Sequence, residues 1–197
     1  MKNIGVLVSG GGTNLQSVID NIESGKINGQ IKVVISNKES AYGLERARKH
    51  GIKAIYLNDE KEIIEELKNN DVDLVVLAGF LKILSHDFTR AFENKIINIH
   101  PSLIPSFCGK GYYGLKVHEA AVEYGVKVSG ATVHFVDENT DTGAIIMQKT
   151  VDVLPDDSAQ DLQKRVLCVE HEILSQVIAK FCEDKIKLVG RRVYIED

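Results

Sequence analysis

Ile4-Gly5-Val6-Leu7-Val8-Ser9-Gly10-Gly11-Gly12-Thr13-Asn14-Leu15 runs from an apolar strand through a glycine turn towards a helix. Ile4–Val8 is almost continuously apolar, the pattern of a strand covered on both faces. A helical spacing follows from about Leu15 to Glu23. A strand of this kind followed by a helix is the opening of a parallel α/β sheet.

The next residues repeat the alternation. Ile31–Ile35 reads as a strand, Tyr42–His50 as a helix, Ala54–Leu57 as a short strand, and Glu60–Lys68 as an amphipathic helix with Ile63, Ile64 and Leu67 on one face. Leu74–Leu77, Ser85–Phe92 and Ile96–Ile99 continue as strand, helix and strand. After Pro105 the pattern changes. A glycine-bearing loop (Gly109, Gly111, Gly114) and a helix ending near Gly125 lead to the strand Ala131–Val136. The polar turn Asp137–Gly143 then joins it to Ala144–Val153 as a hairpin. Ser158, with Asp161 three residues on, starts a helix that runs to about Phe181, and Lys187–Tyr194 is expected to add an edge strand. The fold class is therefore α/β, a Rossmann-like, mostly parallel sheet with helices on both faces and an antiparallel C-terminal hairpin. Residues 1–197 are read as one domain.

Composition narrows the function classes. The 197 residues are 44% hydrophobic and 26% charged, enough for one sizeable core, and the net charge is −4 without any long basic run. An electrostatic grip on long nucleic acid needs clustered Lys and Arg, so no nucleic-acid partner is expected. The N-terminus enters its first strand at once, with no signal-like segment and no apolar stretch long enough to span a bilayer, so no membrane partner is expected. Cys108, Cys168 and Cys182 have no metal-ligand spacing, and the latter two read as small buried hydrophobes in a helix. A reducing, cytoplasmic setting fits.

The loop Ser9-Gly10-Gly11-Gly12-Thr13-Asn14 brings backbone N–H groups and a helix N-terminus close to a ligand. It lacks the third glycine of a dinucleotide fingerprint and the Gly-Lys-Ser/Thr of a Walker loop, and Ser36-Asn37-Lys38 supplies no acid for a ribose diol. A phosphomonoester fits it, with Thr13 and Asn14 as further ligands. The plainer alternative is a capped turn.

Ile97-Asn98-Ile99-His100-Pro101-Ser102-Leu103 carries the second feature. On a strand, Asn98 and His100 share a face, and here they lie at its C-terminal end, where open α/β sheets bind ligands. Alone, His100 reads more readily as a hydrogen-bonded strand-end histidine or a loop residue before a proline turn. The acidic turn Asp137-Glu138-Asn139-Thr140-Asp141-Thr142-Gly143 would change that if it folds over the same end, because a carboxylate beside an imidazole favours the charged ring. His100 could then carry a proton, and Asn98 could donate to an oxygen gaining charge. The residues themselves leave open which carboxylate does this.

Val8–Gln16, Ser36-Asn37-Lys38, Gly43-Leu44-Glu45-Arg46-Ala47, Leu77-Ala78-Gly79-Phe80, Asn98–Leu103 and Gly130-Ala131-Thr132-Val133-His134-Phe135, in this order, resemble the phosphoribosylglycinamide formyltransferases, folate-dependent enzymes of purine synthesis. The resemblance spans Ile4 to about Val177. It implies formyl transfer from the co-substrate 10-formyltetrahydrofolate to the amine of phosphoribosylglycinamide, by direct attack through a tetrahedral intermediate and without a metal. By the same resemblance His100 is the general acid/base, Asn98 the oxyanion donor, and Asp141 the carboxylate that raises the His100 pKa. Gly12, Thr13 and Asn14 match the phosphate cradle, and Glu170 matches the acid on the ribose hydroxyls. Leu81, Lys82, Ile83, Leu84 and Asn98 match the folate site, with Asp137–Asp141 as its other wall. Residues 1–100 would be the phosphate-binding half and 101–197 the folate and catalytic-loop half. The implied partners are small molecules, in a monomer or homodimer.

The chain departs from the family's pattern twice. Cys108–Gly114 is an expanded, tyrosine-bearing loop, either a lid over the folate tail or a longer connection. Lys61 stands near where the family carries an arginine for the folate glutamate, and an ammonium lacks the bidentate fork. Three rivals remain: a hydrolase of the same folate, a formyltransferase acting on charged tRNA, and a nucleotide-sensing module without turnover.

Overall fold

The computed structural model describes residues 1–196. The elements are β1 (Lys2–Val8), α1 (Thr13–Glu23), β2 (Gly29–Ser36), α2 (Tyr42–Lys49), β3 (Ala54–Tyr56), α3 (Glu60–Asn69), β4 (Leu74–Leu77) and α4 (His86–Ala91). They continue as β5 (Ile96–His100), α5 (Leu115–Tyr124), β6 (Val128–Phe135), β7 (Ile145–Asp152), α6 (Ala159–Cys182), β8 (Ile186–Val189) and β9 (Arg192–Ile195). Seven strands form one sheet in the order β3-β2-β1-β4-β5-β6-β7. The first five of these are mutually parallel, whereas β6 runs antiparallel to both β5 and β7.

The alternation of β1 explains why both faces are covered. Ile4, Val6 and Val8 enter one core with Leu15 and Val18 of α1, Leu44 of α2, and Val166, Leu174 and Val177 of α6. Leu7 enters the opposite core with Ile63 and Leu67 of α3 and Phe88 of α4. Gly5 leaves room for this packing, because a Cβ there would stand 2.4 Å from Leu67 Cδ2 and the leucine would have to shift. The chain leaves β1 towards β2 on one side and returns to β4 on the other. The carboxyl ends of β1 and β4 therefore flank the switch point, where such sheets open a crevice.

Four sequence expectations are corrected. α1 begins at Thr13 rather than Leu15, because Gly12 adopts a left-handed conformation (φ 70°) and the helix starts directly after it. β6 begins at Val128 rather than Ala131, since Val128–Gly130 pairs with Thr150–Asp152. The tail is not an edge strand of the main sheet. It reverses at Gly190 (φ 60°) and pairs with itself as β8–β9. Finally, Cys168 lies on the exposed side of α6, and only Cys182 is buried.

Candidate active site

The glycine loop follows β1. Gly12 caps α1 without a side-chain hydrogen bond, and the first turn of α1 holds no acid, so its N–H groups face outward uncompensated. A Cβ on Gly12 would meet Gly43 Cα at 2.8 Å, so the loop can sit against α2 only as glycine. Arg46 of α2 holds the loop from outside, its Nε donating to the Gly11 carbonyl at 2.7 Å. Thr13 is exposed at the mouth. Asn14 turns inward, and its Nδ2 donates to Glu170 Oε2 at 2.8 Å across to α6. Burial pushes the Glu170 carboxyl above its usual range, against the opposing pull of the Asn14 hydrogen bond. Asn14 Oδ1 is buried and has no partner among the described residues, an acceptor left for a ligand hydroxyl or N–H.

Ser9 ties three loops at this sheet end. Its hydroxyl donates to Asn37 Oδ1 (2.6 Å) after β2 and accepts the Leu81 N–H (2.9 Å) after β4, while its own N–H donates to the Gly79 carbonyl (3.0 Å). The phosphate loop and the Leu81–Leu84 segment are thereby fixed to each other. The signal for this tie in the sequence is a polar residue directly after each of two adjacent parallel strands, Ser9 after β1 and Asn37 after β2.

β5 presents Asn98 and His100 as its alternation requires, and the acidic turn does fold over them. Asp137 is occupied by its own turn, accepting from Thr142 Oγ1 (2.6 Å) and the Asn139 N–H (3.0 Å), and Glu138 faces His86 at the surface. Asp141 is the carboxylate that turns inward. Its Oδ2 stands 3.6 Å from His100 Nδ1, and its Oδ1 stands 3.8 Å from His134 Nε2. Asp141 adopts φ 57°, a left-handed conformation that Asp and Asn tolerate better than most residues.

His100 is almost fully buried, and its Nε2 lies 3.0 Å from the Phe107 carbonyl. A carbonyl oxygen only accepts, so Nε2 carries the hydrogen and a neutral ring keeps its lone pair on Nδ1, facing Asp141. The Gly109 N–H donates to Asp141 Oδ2 at 2.8 Å. Phe107, just before the expanded loop, and Gly109 within it thus contact one member of the pair each. Phe107 is anchored edge-on by Tyr112 and Tyr124. Cys108 faces the same carboxylate, and burial followed by the Asp141 charge pushes its thiol up. His134, passed over in the sequence as part of an apolar strand, is hydrogen-bonded to Asn98 (3.1 Å between Asn98 Nδ2 and His134 Nε2).

The Leu81–Leu84 segment divides by exposure. Leu81 and Ile83 expose about half or more of their surface, an apolar ledge that a flat ring could cover, whereas Leu84 is packed in the core beside Phe88. Lys82 Nζ donates to the Asn58 carbonyl at 2.6 Å, and Lys61 is exposed in the first turn of α3.

Residues 2–178 match the formyl transferase family. The phosphoribosylglycinamide formyltransferase of Haemophilus influenzae is 42% identical over 100% of this chain and 94% of its own length. The chloroplastic phosphoribosylglycinamide formyltransferase of Vigna unguiculata is 42% identical over 94% of this chain, which spans only 62% of that longer protein. A crystal structure of glycinamide ribonucleotide transformylase 1 from Symbiobacterium toebii superposes with a TM-score of 0.93 at 44% identity, covering 100% of this chain and 95% of that one. The chain belongs to the formyl transferase family, within its group of phosphoribosylglycinamide formyltransferases.

Proposed function

We propose that this chain transfers the formyl group of 10-formyltetrahydrofolate to the amine of phosphoribosylglycinamide in purine nucleotide synthesis. One observation carries the reading. Asn98 and His100 on β5 and Asp141, some forty residues further along, meet at the sheet end that also holds the free N-terminus of α1.

The α1 N–H groups with Gly12, Thr13 and Asn14 would hold the phosphate, and Asn14 with Glu170 would hold the ribose. The Leu81–Ile83 ledge and the turn around Asp141 would receive the folate. The amine attacks the formyl carbon, a C–N bond forms, and the formyl oxygen gains negative charge that an Asn98 N–H stabilises. His100 Nδ1 takes the amine's proton and returns it to the departing folate nitrogen as the bond between that nitrogen and the formyl carbon breaks. Asp141 stabilises the imidazolium in between. The three cysteines are free thiols, as a reducing, cytoplasmic setting would keep them.

The test is acceptor dependence. Purified chain with 10-formyltetrahydrofolate should release tetrahydrofolate only when phosphoribosylglycinamide is added, one formylated ribonucleotide per folate. Release without acceptor would make the chain a hydrolase instead.

A further inference from the structure

We propose that His134 is a positioning residue for this reaction. Its Nε2 lone pair fixes which way the Asn98 amide faces, so that the developing oxyanion meets an N–H of Asn98 and not its carbonyl oxygen. The proposal rests on the reading of Asn98 as the oxyanion donor.

His134 lies directly opposite Asn98 in the antiparallel β5–β6 register, so the two side chains share a face. His134 Nδ1 is 2.7 Å from the carbonyl of Phe135. That oxygen can only accept, so Nδ1 carries the hydrogen. Burial lowers the pKa of the ring and outweighs the upward pulls of the Phe135 carbonyl and Asp141, so the ring is neutral at physiological pH. A neutral ring protonated at Nδ1 has a bare lone pair at Nε2. The Asn98 atom 3.1 Å from it must then be Nδ2, since a flipped amide would set two lone pairs against each other. One N–H of Asn98 is used in this way, and the second is left for the substrate.

One feature of the backbone holds the Phe135 carbonyl in place beside His134 Nδ1. Gly143 lies so close to Phe135 that a Cβ there would stand 1.7 Å from its carbonyl oxygen. Any side chain at position 143 would displace the group that decides where the His134 proton sits. The arrangement also keeps the Asp141 charge for one partner. Its carboxylate faces two imidazoles at similar distances, 3.6 Å to His100 and 3.8 Å to His134, and with His134 neutral only His100 becomes charged beside it.

The experiment combines two side-chain replacements with a cycle through Asn98. His134→Phe keeps the ring's shape without an acceptor, and His134→Gln returns an acceptor near the Nε2 position. His134→Phe should lower kcat on the order of 30-fold, with the dissociation constants of both substrates within about twofold. His134→Gln should recover most of that loss. In an Asn98→Ala background His134→Phe should cost less than about twofold more, because its route of action is gone. Equal costs in the two backgrounds, or a Gln variant no better than Phe, would overturn the proposal. If Asn98→Ala cripples turnover while His134→Phe does not, the proposal falls and the reading of Asn98 stands. Near-normal kcat in Asn98→Ala removes both. Independently of whether any variant folds, ¹⁵N NMR of the unmodified protein should show His134 protonated at Nδ1 and bare at Nε2. The opposite tautomer would overturn the proposal.

Discussion

His100 Nδ1 stands 3.6 Å from Asp141 Oδ2, beyond a direct hydrogen bond but well within reach of the carboxylate's charge. The separation is held from both sides by one loop, through the Phe107 carbonyl on His100 Nε2 and the Gly109 N–H on Asp141 Oδ2. Nδ1 is thus left available for a substrate proton, with a countercharge waiting beside it.

Removing either partner should therefore disable proton transfer without emptying the site. His100→Ala and Asp141→Asn should each lower kcat by roughly 10²–10⁴-fold, with the ribonucleotide still bound in calorimetry. Asn suits the left-handed backbone of position 141, so this substitution removes the charge and leaves the turn intact. Near-normal turnover in either variant would take that residue out of the catalytic set.

Asn98→Ala should cost roughly 2.7–4 kcal/mol of transition-state stabilisation if its amide is the main oxyanion donor. The loss should fall on kcat as measured under saturating substrates. A change confined to KM would mean that Asn98 only helps to bind.

The ribonucleotide and the folate should be separable at the other end of the crevice. Thr13→Val and Asn14→Ala should weaken the ribonucleotide more than the folate in equilibrium binding. Asn14→Ala should also destabilise the fold, because Glu170 then loses the donor that satisfies it in its buried position. Equal weakening of both ligands would contradict the placement of the phosphate.

Acid should destabilise the protein partly through His118. This histidine on α5 is buried with Nδ1 unpartnered among the described residues, and burial first, then the neighbouring His100, lowers it from 6.5 to about 4. An unfolded chain takes up the proton near 6.5, whereas the folded one refuses it until about 4. Stability due to the neutral ring is then complete above the unfolded value and is lost as pH falls towards the folded one, up to about 3 kcal/mol. Urea midpoints from pH 7 to pH 4.5 should fall less steeply in His118→Phe than in the parent. Parallel slopes would assign the acid sensitivity elsewhere.

The parts of the fold set by apolar runs were legible in the sequence, and β4 has the bounds Leu74–Leu77 that its four apolar residues suggest. What escaped depended on backbone conformation and pairing. Gly12 lets α1 start two residues early, and the turn at Gly190 folds the tail onto itself instead of onto the sheet. In the site, Asn98 and His100 followed from strand alternation. Asp141 was set apart from Asp137 and Glu138 by the family resemblance alone, because spacing does not show which acid points inward and only the folded turn does. His134 was hidden for a different reason. A histidine inside the mostly apolar stretch Ala131–Phe135 looks like a core residue, and its importance lies in the cross-strand register with Asn98.

The most direct measurement is a single turnover with ¹⁴C-formyl-labelled folate, excess enzyme and saturating phosphoribosylglycinamide, in the parent and in His100→Ala. In the parent, essentially all label should move into the ribonucleotide with none in formate, and in His100→Ala the same transfer should be slowed by orders of magnitude. Label in formate from the parent, or transfer at an undiminished rate in the variant, would contradict direct formyl transfer assisted by His100.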